Sequence, residues 1–112
     1  MRYAIPMSNG MLSPHFGHCE QFAFIDVDEA NKAIMQKQFE PSPEHEPGLL
    51  PNWLAEKGVH VVIAGGMGAR ARDLFRQNRI EVVFNVTESD PEKAIFDYLN
   101  GSLKFGNSIC DH

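Results

Sequence analysis

The chain has 112 residues, 43% hydrophobic and 22% charged, and a formal net charge of −5 at pH 7. That length suits one domain with a real core, and the acidic balance excludes the basic footprint of a nucleic-acid binder. No apolar run approaches the roughly 20 residues of a membrane span, and MRYAIPMSNG meets a proline and a polar turn too early for a signal peptide; a cytoplasmic monomer spanning 1–112 is expected.

Residues 2–7 read as a first strand, followed by a long loop over 8–19 that holds SPHFGHC. EQFAFIDVD alternates, with Phe22 and Phe24 on one face and Ala23, Ile25 and Val27 on the other, as a half-buried strand does. AIMQKQFE is a weaker third strand, ended by PSPEHEPG, whose three prolines exclude regular structure. Leu49, Leu50, Trp53, Leu54 and Lys57 recur at helical spacing, with Gly58 placed to end the helix. VHVVIA and IEVVFNV are β-branched runs of the kind buried in parallel sheets, which would put His60 inside a covered strand, there for packing or a hydrogen bond. Between them GGMG leads into ARARDLFRQNR, with Ala71, Leu74 and Phe75 as its apolar stripe. Asp90 and Pro91 open the last helix as cap and first residue, and Asn100-Gly101 closes it. Residues 101–112 form a tail without a structural signal.

Three early strands followed by alternating helices and strands predict an α/β domain whose mixed five-stranded sheet has the order 3-2-1-4-5 and helices on both faces. Strand directions then carry the loops with His15, with His45 and with GGMG to one edge. That edge is the topological switch point, where open α/β sheets bind ligands.

His15, His18 and Cys19 offer two imidazoles and a thiol, ligand types that suit zinc, copper, iron and metal–sulfide clusters, although the spacing lacks the paired Cys-x-x-Cys of structural zinc. An ordinary polar loop is the competing reading, with Phe16 as an apolar plug, Gly17 accommodating positive φ, and Cys19 facing the core as a small hydrophobe. His45 in its proline-rich loop reads as solvated unless that edge is a site. Cys110, Asp111 and His112 cluster in the tail, whose 12 residues, at most about 40 Å when extended, reach back along a helix of about 15 Å to the same edge. Gly65, Gly66 and Gly68 turn a strand into a helix, with Arg70 and Arg72 in its first turn: a generic anion site. GMGARA also satisfies the glycine fingerprint of dinucleotide sites, with Glu88 downstream, but no room remains for the second half of such a fold. No carboxylate pair or Ser/His/Asp arrangement marks a reaction.

SPHFG, FAFIDVD, the block HEPGLLPNWLAEKGVHVVIAGGMGARARDLFRQNRIEVV and a Cys-x-His terminus together resemble the dinitrogenase iron-molybdenum cofactor biosynthesis family, across most of the chain. The resemblance implies a ribonuclease-H-like three-layer fold, and a role in binding, carrying or protecting a molybdenum-containing metal–sulfide cluster or its precursor, of iron-molybdenum or, as in the orange proteins, molybdenum-copper type. A protein donor or recipient of the cluster is implied, and an enzyme is not. By position it assigns His15, Phe16 and Gly17 to the first loop, His45 to the histidine before the first helix, Gly65, Gly66, Met67 and Gly68 to the glycine turn, and Cys110 with His112 to the terminal pair. His18 and Cys19 depart from the family pattern as further candidate metal ligands, and Arg70 is a candidate for offsetting the cluster's charge. Two rivals are a small nucleotide-binding or regulatory domain using GGMG, and a redox or hydrolytic enzyme using Cys19.

Overall fold

The computed structural model describes residues 1–14, 16, 19–43 and 49–103. Along the chain lie β1 (Arg2–Ser8), β2 (Met11–Leu12), β3 (Gln21–Asp28), β4 (Ala33–Pro41), α1 (Leu49–Glu56), β5 (Val61–Ile63), α2 (Ala69–Gln77), β6 (Glu81–Val83) and α3 (Pro91–Asn100).

The mixed sheet has six strands rather than five, because the first loop contains β2. Met7 pairs with Leu12 and Ser8 with Met11 around Asn9-Gly10, whose φ values of 55° and 77° match the twist of a tight hairpin. The long path runs β4-β3-β1-β5-β6. β1 is antiparallel to β3, from Arg2 opposite Asp26 to Met7 opposite Gln21, and parallel to β5, with Tyr3 beside Val61.

Strand alternation creates two cores. Ala23, Ile25 and Val27 join Tyr3, Ile5 and Ile63 beneath Ala94 and Ile95 of α3. Phe22 and Phe24 join Ala4 and Val62 beneath Leu50 and Leu54 of α1 and Phe75 of α2. One helix therefore covers one face and two cover the other. The caps of α3 hold as local chemistry requires: the Asp90 carboxylate accepts from the N–H groups of Glu92 and Lys93, and Gly101 takes the left-handed conformation at φ 74°.

β5 and β6 are shorter than their apolar runs, and beyond their ends the Ala64 N–H donates to the Val83 carbonyl of β6 while the Val86 N–H donates to the Ala64 carbonyl. His60 is not covered. It is exposed just ahead of β5, and its Nδ1 accepts from the Arg2 N–H at 3.1 Å, so hydrogen bonding is its role and burial is not. Among the described residues no helix is long and apolar enough to cross a membrane.

Candidate functional site

β1, β4, β5 and β6 end at one sheet edge, which is also where β3 begins. The loop after β1, the chain leaving β4 at Ser42, the glycine turn after β5 and the turn after β6 all emerge there.

Backbone hydrogen bonds weld the first and third of these together. The Gly66 N–H donates to the Pro14 carbonyl at 2.7 Å, and the Phe16 N–H donates to the Gly66 carbonyl at 3.0 Å. A Cβ on Gly65 would lie 2.6 Å from the Pro14 carbonyl oxygen and 2.7 Å from that of Ser13, so only glycine lets the two segments approach. The turn after β6 joins them, with the Asn85 N–H donating to the Gly65 carbonyl at 2.8 Å. Asn85 has φ 60°, a conformation asparagine tolerates. Ser13 is buried, and Phe16 drops into the core, edge-on to Phe22 at 6.1 Å and to Phe75 at 5.4 Å. Met67 is buried in the same cluster. Phe16 and Met67 therefore anchor the two loops from below and do not present their side chains at the surface.

Gly68 is the N-cap of α2 in an extended conformation, with no side-chain hydrogen bond to the helix. The first N–H groups of α2 and the positive end of its dipole thus emerge beside the weld. Arg70 is exposed. Arg72 is half-buried, its guanidinium 4.2 Å from the centre of the Phe84 ring, a stacking contact that holds a cation at this edge.

Cys19 is free, half-buried and packed against the α1/α2 core. Its thiol lies 3.7 Å from the Ser42 hydroxyl oxygen, while the Ser42 N–H donates to the Glu20 carbonyl at 3.0 Å, so the ends of the first and second loops are held side by side. Burial pushes the Cys19 thiol up, with the Ser42 contact opposing, and the protonated form prevails at neutral pH. His15, Gly17, His18, His45, Cys110 and His112 lie outside the described residues. Among the described residues no three His, Cys, Asp or Glu side chains converge as a metal site. Ser42, Phe84 and Asn85 were not legible as site residues. Only Asn85, a residue that tolerates positive φ after a β-branched run, carried a usable signal.

The sequence profile of the family described as dinitrogenase iron-molybdenum cofactor matches residues 1–101. The chain belongs to this family. Among individual relatives, the uncharacterized protein MJ0580 of Methanocaldococcus jannaschii is 28% identical over 107 residues, covering 93% of this chain and 90% of the relative. The crystal structure of PH0822 superposes with a TM-score of 0.86 at 30% identity, covering 96% of each chain. The apo form of the orange protein from Desulfovibrio gigas shares the fold, with a TM-score of 0.69 at 23% identity over 94% of this chain and 92% of that one. This iron-molybdenum cofactor family thus includes a chain whose glycine turn is locked against its first loop.

Proposed function

We propose that this domain binds and carries a molybdenum-containing metal–sulfide cluster or its precursor, as cargo and not as a catalyst, on a ribonuclease-H-like scaffold. The observation that carries the reading is the weld of Gly65 and Gly66 to Ser13, Pro14 and Phe16, which holds these described residues of the first loop against the glycine turn that opens α2. A sulfide-rich cluster is a soft anion. Imidazoles and a thiol suit its metals, while the dipole end of α2 with Arg70 and Arg72 suits its charge. Membership of the iron-molybdenum cofactor family supports the same cargo class.

Three features of the described chain fit such cargo. α2 starts at Gly68 with no side-chain cap on its first N–H groups, Arg72 is braced on Phe84, and Cys19 supplies a thiol at the loop end, provided the cluster displaces its proton. His15, His45, Cys110 and His112 complete the proposed ligand set by family position. The protein is read as a cytoplasmic monomer that receives cargo from one protein and passes it to another.

Anaerobic incubation with tetrathiomolybdate, with and without copper(I), followed by desalting and metal analysis tests this reading. Retained molybdenum and sulfide in fixed ratio to protein, with a charge-transfer absorbance, is the expected result. No retained metal, together with saturable binding of a dinucleotide, would instead favour a nucleotide phosphate at the α2 N-terminus.

A further inference from the structure

β4 ends the sheet path, and its nine residues are almost wholly exposed. Two of its apolar side chains face solvent, Met35 at 72% and Phe39 at 53%. Phe39 stands on the α3 face opposite Ala23, at the rim of an apolar groove it shares with Met7 and Met11. Isolated exposed apolar groups are ordinary, but a long edge strand that carries two of them is a template for a further strand.

Hydrogen bonds on the two sides of β3 fix which backbone groups of β4 point outward. The Val27 N–H donates to the Met1 carbonyl at 2.9 Å, so the odd-numbered residues of β3 serve β1. The Ser42 N–H donates to the Glu20 carbonyl at 3.0 Å, in register with the β3–β4 pairs, so the even-numbered residues serve β4. Gln36, Gln38 and Glu40 therefore turn their backbone groups inward, and Lys37, Phe39 and Pro41 turn theirs out. Pro41 has no N–H to give a ladder and falls in the outward phase, where an edge strand tolerates proline. The register shift beside Asp26 ends this regular stretch at Gln36.

We propose that this edge pairs with β4 of a second copy, antiparallel about a two-fold axis through Gln38. Only the outward residues can bond across such an axis, which restricts the register. Centred on Lys37, the pairing opposes two lysines; centred on Phe39, it sets Lys37 against Pro41 and loses hydrogen bonds for want of the proline N–H. Centred on Gln38, Lys37 of each copy exchanges both backbone bonds with Phe39 of the other, Gln38 meets Gln38, and Gln36 meets Glu40. The two Phe39 rings become diagonal neighbours beside the Lys37 stems. Charge does not oppose the approach, because Lys37 is held by Glu92 at 2.7 Å and Glu40 by Lys57 at 2.8 Å, within the same chain. A free lysine is a common guard of an edge strand, and this one is tied down. The contact is a short strand pair, so association is weak and the monomer proposed above is its dilute form. The pairing stands whether or not the domain carries a cluster.

The test uses the full chain with Cys19→Ser and Cys110→Ser, one added cysteine at a time, and folding checked by circular dichroism. Gln38→Cys and Gln36→Cys both replace exposed residues. The first puts two thiols across the axis within disulfide reach, whereas the second sets them about 13 Å apart along the strands. With diamide as oxidant, Gln38→Cys is expected to form covalent dimer about fivefold faster than Gln36→Cys, or more. Sedimentation equilibrium of the parent under reducing conditions should show a mass rising toward two chains with concentration. Phe39→Pro removes an N–H that the chain's own ladder does not use and should weaken this association about tenfold, while Phe39→Leu keeps it within about threefold. Equal oxidation rates at the two positions, or association that Phe39→Pro leaves untouched, overturns the proposal. A parent that stays monomeric at every concentration also overturns it and leaves the edge to a strand of another protein.

Discussion

Gly65 lies so close to Pro14 that a single added methyl would stand 2.6 Å from the proline carbonyl oxygen. The obstacle is backbone on both sides of the clash, so neither segment can yield by rotating a side chain. Gly65→Ala should destabilise the fold by about 1–3 kcal/mol, as overpacking does, and loosen the first loop. Gly68→Ala is the matched control: its Cβ meets nothing within 4 Å and its φ of −70° is ordinary, so a change of less than about 1 kcal/mol is expected. Denaturant unfolding of the two variants checks the contrast.

Cys19 should behave as a half-buried thiol. Alkylation by iodoacetamide in the apo protein, with Cys110 replaced by serine, is expected to be slow at neutral pH and to rise with a midpoint above the ordinary cysteine range, because burial opposes the thiolate. A folded-state value raised in this way contributes stability that is present below the unfolded thiol's pKa and declines as pH climbs from there through the folded one. Cys19→Ala should cost on the order of 1 kcal/mol for lost packing. A midpoint at or below that of an unstructured cysteine would contradict this placement.

The Arg2–Asp26 pair predicts an acid-side loss. Arg2 Nε donates to Asp26 at 2.9 Å and Nη1 to the Lys57 carbonyl at 2.6 Å, tying β1 to β3 and to the end of α1. The guanidinium holds the Asp26 carboxyl below its usual range, so its contribution is complete above the ordinary aspartate pKa and fades as pH falls through the lowered one. The pair is partly exposed, and Asp26→Asn should remove about 0.2–1 kcal/mol at pH 7. The gap between parent and variant, followed by thermal unfolding, should close toward pH 2.

The two arginines of α2 should separate. Arg70 is exposed, and Arg70→Gln is expected to leave stability within about 0.5 kcal/mol while weakening retention of an anionic cluster at low salt. Arg72→Gln also removes the stack on Phe84 and should cost a further 0.5–1 kcal/mol or so. Equal retention by parent and double variant at low salt would reduce both to surface residues.

Much of the architecture is written in local patterns. FAFIDV splits by alternation into the two cores that the structure shows, and Asp90-Pro91 with Gly101 delimits α3 by cap chemistry. β2 escaped because a two-residue strand has no period, although Asn9-Gly10 is a hairpin signal. The exposure of His60 was hidden by its neighbours, since Val59 and Val61 read as a continuous buried run while His60 turns out to bond Arg2. The weld at the candidate site was illegible for a different reason. It is made of backbone N–H and C=O groups of Pro14, Phe16 and Gly66, and which carbonyl a glycine turn will meet depends on strand order and not on side-chain type. The sequence suggested glycines for an anion, and the structure shows Gly65 serving close packing first.

The central claim is that the first loop holds a metal–sulfide cargo. Its most direct test compares molybdenum retained per chain, after anaerobic loading with tetrathiomolybdate and copper(I) and desalting, in the parent and in His15→Ala combined with Cys19→Ala. The parent should retain molybdenum in fixed ratio and the folded double variant about a tenth as much or less, the loss expected when metal ligands are removed. Full retention by the double variant would contradict the account and leave the SPHFGHC loop as a structural turn.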